Sequence, residues 1–170
     1  MKRVSLNPAW IIGLALLFAA GAVLVPGPAS AKVYNHKGPD FKLEFPDGYQ
    51  DVPLKKDEVL SKKNPAGVPL FQVSVIEMQD AGGMQAFASG YARILQSMGT
   101  DVKVISNQKT ETLDGTEAWE SVIEWKLQGK TPLVSLVFAA FKDGKVVFIG
   151  VHTMGDLDPA RAITESLEFQ

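Results

Sequence analysis

The side chains best suited to chemistry in this 170-residue sequence lie close together near its C-terminal end. His152 is followed within a few positions by Asp156 and Asp158. An imidazole beside two carboxylates can form a weak metal site or an acid–base pair. The competing explanation is structural, because Asp156 suits a turn and Asp158, followed by Pro159, suits a helix N-cap. We favour the structural explanation, since such spacings are common, and predict no metal, cofactor or catalytic residue.

Other reactive groups are scarce. The chain has no cysteine, which excludes disulfides, thiolate metal ligands, a cysteine nucleophile and a lipid-modified cysteine. The other histidine, His36, lies in a polar stretch, and neither a Gly-x-Ser-x-Gly elbow nor a phosphate-binding glycine loop is present. The net charge is −2 and no basic run stands out, so nucleic-acid binding is not expected.

The first 31 residues have the layout of a secretory signal peptide. A basic start is followed by an uncharged apolar run at Trp10–Val25, by a Pro-Gly-Pro break, and by Ala29-Ser30-Ala31, the small-x-small pattern that signal peptidase recognises. The alternative is an uncleaved anchor, but the run is shorter than the roughly 20 residues of a spanning helix. We predict cleavage after Ala31, export to the periplasm or the extracellular space, and no membrane span in the mature chain.

Three apolar runs that follow one another predict the centre of the fold. Residues 116–128, 130–142 and 145–154 are rich in Val, Ile, Phe and Trp, and the breaks at Gly129 and at Asp143-Gly144 carry turn residues. This pattern predicts an antiparallel meander, with a type I′ turn at Asp-Gly. The second and third runs are apolar on both alternating faces, so each face needs a covering layer.

The first run alternates instead. Trp119, Ser121, Ile123, Trp125 and Leu127 share one face, which is either core beneath a helix or an exposed aromatic groove; core is favoured because large aromatics dominate cores. The other face carries Glu120, Val122, Glu124 and Lys126 and is predicted to be wet. Docking on a partner needs an exposed polar surface, so Glu120, Glu124 and Lys126 are the predicted partner-binding residues.

Two helices are expected to cover the meander. Apolar residues spaced by three and four predict a helix over 83–98 that ends before Gly99, with Gly90 explained by close packing on the sheet. A second helix is predicted over 159–167. Further strands are predicted at 41–45, at 70–78 and, as a polar edge strand, from residue 102 to 112, whereas 54–60 is read as a short helix or loop.

These elements predict an α+β fold in which an antiparallel sheet has helices on both faces, an α/β/α sandwich. Residues 32–39 are interpreted as a polar leader, and residues 40–170 as a single domain.

The order of these elements resembles a known family. Residues 40–46 read Asp-Phe-Lys-Leu-Glu-Phe-Pro, residues 134–147 form the last hairpin, and Ile163, Ser166, Leu167 and Phe169 close the chain. This pattern, over residues 40–169, is similar to PsbP-like and DcrB-like domains of the PsbP–Mog superfamily. The resemblance implies an antiparallel sheet between helical layers. It transfers no site residue, and the chain lacks the lipidation cysteine of DcrB-type lipoproteins.

The resemblance also implies a function. Proteins of this kind act as non-enzymatic accessory or binding modules, so we expect docking on another envelope or membrane-associated protein. The alternative from a different class is a small periplasmic enzyme or metal-binding protein that uses His152 with Asp156 and Asp158.

Overall fold

The structure is a computed structural model that describes residues 31–170. The predicted signal peptide therefore lies outside the described residues, except for Ala31, which begins the first strand. The described strands are β1 (Ala31–His36), β2 (Phe41–Pro46), β3 (Gln50–Asp51), β4 (Glu58–Lys63), β5 (Leu70–Glu77), β6 (Gly99–Glu111), β7 (Glu117–Leu127), β8 (Thr131–Lys142), β9 (Lys145–Thr153) and β10 (Glu168–Phe169). The described helices are α1 (Gly83–Met98) and α2 (Asp158–Glu165).

The strands form two antiparallel sheets. The large sheet has the order β3-β4-β5-β9-β8-β7-β6, and the small sheet has the order β1-β2-β10. The predicted meander is present as β7, β8 and β9, and β6 occupies the predicted edge. Because β5 pairs with β9, strands β8 and β9 lie inside the sheet, as two apolar faces require.

The turn between β8 and β9 fixes the register of the central hairpin. Asp143 and Gly144 both have positive φ, 49° and 75°, as a type I′ turn requires. Lys142 therefore pairs with Lys145, and counting outward places Ser135 opposite His152. The short turn thus brings two polar residues 17 positions apart onto neighbouring strands.

Helix α1 covers one face of the large sheet, which we call the α1 face. Its buried Met84 and Leu95 pack in a cluster with Ile123, Val137 and Phe148 of the sheet. The predicted helix limits, 83 and 98, are those observed. The apolar periodicity of this segment was therefore sufficient to locate the helix.

The opposite face, which we call the α2 face, is covered differently from the prediction. Phe41, Leu43 and Phe45 of the small sheet pack on it together with Ala160 and Ile163 of α2. The predicted α+β fold with an antiparallel sheet is therefore confirmed, but the predicted α/β/α sandwich is not, since a three-stranded sheet shares one of the covering layers with a helix. The small sheet supplies the large aromatic side chains of this layer, since α2 contains no aromatic residue.

Four strands were not predicted as strands; two of them, β3 and β10, are only two residues long, and the other two are β1 and β4. Most of the predicted polar leader, 32–39, belongs to β1, which pairs with β2 over six consecutive residue pairs. The segment read as a helix or loop leads into β4, which pairs with β5. Both strands are rich in polar residues and lie near the outer edges of their sheets, where burial does not impose an alternating apolar pattern.

Two glycines near α1 differ in their surroundings. Close packing was predicted for Gly90, but an added Cβ there would meet no atom within 4 Å, so that explanation is wrong. A Cβ on Gly99 would lie 2.2 Å from the backbone oxygen of Lys126 and 2.8 Å from the ring of Trp125. Glycine is thus required at the start of β6, where two backbones approach closely.

Candidate functional site

His152 lies at the end of β9 on the α1 face and is only 2% exposed. The cross-strand register places it opposite Ser135 of β8 and opposite Leu70 of β5. Its ring is stacked with that of Tyr91 from α1, with centroids 6.2 Å apart, and meets Trp125 edge-on at 6.1 Å. Helix and sheet therefore enclose the imidazole between them.

Four side chains form a continuous chain of hydrogen bonds at this point. The indole N–H of Trp125 donates to the Ser135 hydroxyl oxygen at 2.8 Å. The same hydroxyl is 2.8 Å from Nδ1 of His152, and Nε2 of His152 is 3.2 Å from the Tyr91 hydroxyl. Both ring nitrogens thus have partners, as buried polar groups require. We call this set the His152 network.

The electrostatics of the network keep its members neutral at pH 7. Burial lowers the pKa of His152 to about 4, and the positive charge of Lys55 acts in the same direction. Burial also raises the pKa of Tyr91, helped by the negative charge of Glu58. Ser135 is fully buried, so a substrate cannot reach its hydroxyl. The geometry suits a structural link between α1 and the sheet.

The structure does not bring His152 together with the two predicted carboxylates. Asp156 and Asp158 are exposed, and Oδ1 of Asp156 accepts the backbone N–H of Asp158 at 2.9 Å. Asp158 is the first residue of α2, and Leu157 is its N-cap, so the predicted cap is displaced by one residue. Within residues 31–170, no group of three or more His, Asp or Glu side chains could hold a metal ion.

The two tryptophans of β7 belong to the α1 face and not to an exposed groove. Trp125 is buried in the core, and Trp119 packs half-buried against the same cluster. The indole N–H of Trp119 donates to Oδ1 of Asn107, which also accepts from the Ser121 hydroxyl at 2.6 Å. Asn107 in turn donates to Ser89 of α1 at 2.8 Å, which fastens β6 to the helix.

The predicted docking face on β7 is only partly exposed. Glu120 is 6% exposed, and its Oε1 lies 3.3 Å from a guanidinium nitrogen of Arg161 on α2. Val122 is also buried. The prediction that this part of the face is wet is therefore wrong, because α2 covers it.

The remaining part of that face forms an open corner, which we define as Lys103, Glu124, Lys126, Pro132 and Val134. Glu124 lies opposite Lys103 on one side and opposite Val134 on the other, while Lys126 lies opposite Pro132. All are exposed except Val134, which is half-buried. Lys126 forms an ion pair of 2.8 Å with Asp101. The corner thus combines charges of both signs with apolar surface.

Sequence reasoning missed two sets of partners. Ser135 could have been placed opposite His152 by counting outward from the Asp143-Gly144 turn. Tyr91 and Arg161 come from helices, and nothing in the local pattern of β7 or β9 shows where a distant helix will pack. The partners within a hairpin were predictable, whereas the partners across layers were not.

Comparisons with known proteins bear on the fold. No protein-family model matches the sequence, and no curated protein matches it. The solution structure of cyanobacterial PsbP (CyanoP) from Synechocystis sp. PCC 6803 is similar, with a TM-score of 0.67 and 14% identity over 88% of this chain and 98% of that one. A crystal structure from Bacteroides thetaiotaomicron VPI-5482 has a TM-score of 0.54 and 12% identity over 76% of this chain and 45% of that one. The chain therefore has a PsbP-like fold.

Proposed function

We propose that this protein is an exported, non-enzymatic accessory module that docks on another envelope or membrane-associated protein. The observation that carries the proposal is the open corner, an area of sheet face that neither α2 nor the small sheet covers. Pro132 and Val134 supply apolar surface there, and Lys103, Glu124 and Lys126 surround it with charge. Small apolar areas with a polar border are common in transient protein interfaces.

The PsbP-like fold supports the proposal by analogy alone, since fold does not fix function. The burial of the His152 network supports a non-enzymatic role. The group with the most catalytic potential on this chain is sealed between α1 and the sheet, where a substrate has no access. In the part of the chain that the structure describes, neither helix is long and apolar enough to cross a membrane.

The charges of the corner indicate how docking would behave. Exposed ion pairs contribute orientation and association rate more than affinity. We therefore expect binding that weakens as salt increases, because the Debye length falls to about 8 Å at physiological ionic strength.

The test uses site-specific cross-linking in the native host. A photoreactive amino acid replaces Glu124 in one variant and Glu165, an exposed residue of α2, in the control. A discrete cross-linked product in the envelope fraction from the first position alone supports the proposal, provided that Lys126→Glu in the same chain removes it. Equal products from both positions, or none from position 124, would overturn the open corner as the docking site.

Export has its own test. Intact mass spectrometry of secreted or periplasmic material is expected to show a chain that begins at Lys32, since Ala29-Ser30-Ala31 is the predicted cleavage site. A chain that starts at Met1 and stays in the membrane fraction would contradict cleavage.

A further inference from the structure

We propose that the cleft between β1 and the β3–β4 edge binds an extended, acidic peptide segment and takes one of its apolar side chains. The cleft has a volume of about 270 Å³ and lies where the outer strands of the two sheets meet. It is lined by Tyr34, Asp51, Val52, Leu54, Val59, Leu60 and Ser61. This site is separate from the open corner, which lies toward the opposite edge of the large sheet.

The lining favours an apolar occupant. The Tyr34 hydroxyl donates to the backbone oxygen of Val59 at 3.0 Å, and Asp51 forms an ion pair of 2.6 Å with Lys62. The Tyr34 hydroxyl and the Asp51 carboxylate are therefore already paired, and four of the seven lining residues are Val or Leu, which leaves mainly hydrocarbon for an incoming group. Leu54 at the rim is 56% exposed. The cleft is smaller than a pocket that binds a drug-sized molecule. Its volume suits a single side chain of the size of leucine or phenylalanine.

The edge of β1 favours an extended backbone next to this cleft. Within residues 31–170, β1 pairs with β2 alone, so no described strand pairs with its other edge. The β1–β2 register runs without irregularity through six pairs, whereas the β6–β7 register shifts twice. A regular free edge is the template that strand addition uses. Tyr34 lies opposite the buried Leu43, so it points from β1 toward the large sheet.

A strand added beside β1 would therefore place alternate side chains on the Tyr34 side, above the cleft. The residue level with Tyr34 would enter it. The residues two positions before and after would lie on the same side, near Lys32 and His36 of β1. Register and cleft thus define a recognition pattern with one apolar residue at its centre.

The charge of the segments that form the cleft indicates the charge of the ligand. Residues 31–37 and 50–63, the two segments that supply the lining, contain six lysines and three carboxylates, a net charge of +3, although the chain as a whole has a net charge of −2. The charged residue of the lining itself is Asp51, and its carboxylate is paired with Lys62. Carboxylates on the ligand would complement this local excess, which indicates an acidic segment.

The binding test uses synthetic peptides and a chain that begins at Lys32. The probe is fluorescein-labelled Thr-Glu-Thr-Leu-Thr-Glu-Thr, with leucine at the centre and a glutamate two positions to either side. One matched control replaces leucine by serine, and the other replaces both glutamates by lysine. We expect saturable binding of the probe by fluorescence polarisation and a loss of affinity of about tenfold or more for each control.

Variants locate the site. Leu54→Asp is expected to weaken probe binding by about tenfold, whereas Leu113→Asp, a comparably exposed leucine at the opposite edge of the large sheet, is expected to leave it unchanged. Amide chemical shifts in β1 should move on titration with the probe. Circular dichroism melting confirms that both variants fold.

Several results would overturn the proposal: no saturation with the probe at millimolar concentration, equal binding of the serine control, or shifts confined to β6 and β7. Binding of decanoate in the cleft without binding of the probe would assign the site to a small apolar ligand instead. Because the open corner is tested by cross-linking at position 124, the two proposals can fail separately.

Discussion

The imidazole of His152 illustrates how one residue can couple stability to pH without taking part in catalysis. It is held between Ser135 and Tyr91 and is sheltered from solvent. A proton added to it would convert both ring nitrogens into donors and would place a charge where Lys55 already acts unfavourably. The folded state therefore prefers the neutral ring.

The first prediction follows from the sign of that shift. The unfolded chain takes up a proton on His152 below about pH 6.5, whereas the folded chain does so near pH 4. The contribution of His152 to the free energy of unfolding is therefore fully present above about pH 6.5. It decreases by about 3 kcal/mol as the pH falls toward 4. Urea unfolding measured at intervals from pH 7 to pH 4 should show this decrease in the wild type and a shallower one in His152→Gln. Equal slopes would mean that the ring is accessible when folded.

The second prediction uses the two glycines near α1. Gly90→Ala should raise the free energy of unfolding by about 0.5–1 kcal/mol, because alanine favours the helix and the added methyl group meets no atom. The same substitution at the second glycine, Gly99→Ala, should instead lower the free energy of unfolding, since the added Cβ would overlap the Lys126 backbone. Thermal unfolding of both variants checks the pair; destabilisation by Gly90→Ala would show that the helix packs more closely there.

At the scale of elements, α2 decides which part of β7 is buried. The alternating pattern of β7 assigned Glu120 and Glu124 to one face, and the register confirms that assignment. The pattern could not show that α2 would place Arg161 over the first of them and leave the second exposed. Coverage depends on where a distant helix docks, which a local period does not encode.

The third prediction separates these two glutamates. Glu120→Lys should lower the free energy of unfolding by about 2–3 kcal/mol, because it places an ammonium group beside Arg161 in a buried position. Glu124→Lys should change it by less than about 0.5 kcal/mol, as exposed substitutions usually do. Urea unfolding of the two single variants measures both free energies. Similar decreases in the free energy of unfolding would contradict the observed placement of α2.

The outer strands β1 and β4 also show what a local sequence pattern does not encode. The apolar runs of β5, β7, β8 and β9 were predictable because buried positions force a pattern on the sequence. Strands β1 and β4 are held by backbone pairing to β2 and β5, and their polar sequences could equally belong to loops. Elements with a strong apolar period were found, whereas β1 and β4, which lack one, were missed.

At the scale of the whole molecule, two cores lie on opposite faces of one sheet. The cluster beneath α1 and the cluster beneath the small sheet and α2 both include side chains of the strands β7, β8 and β9. Phe138 of β8 points into the second cluster, while Trp125 of β7 lies in the first. Because both cores are built on β7, β8 and β9, we expect them to unfold together.

The fourth prediction tests that coupling. Phe138→Ala should cost about 3–5 kcal/mol, as large-to-small changes of buried phenylalanine do. In a chain that begins at Lys32, the remaining tryptophans, Trp119 and Trp125, both report on the α1 face. Their fluorescence midpoint in urea should shift as far as the midpoint measured by far-ultraviolet circular dichroism. An unchanged fluorescence midpoint would show that the two cores unfold independently.

The bulges of β6 have a consequence for the behaviour of this protein at high concentration. A sheet edge 13 residues long, with exposed Val104 and Ile105, would be a hazard for fibril formation if it were flat. The register shifts on either side of Val104 interrupt the line of backbone groups that another chain would need, and Lys103 places a charge at the same point. We therefore expect that β6, although it is the longest edge strand of the described chain, does not serve as a template for filaments.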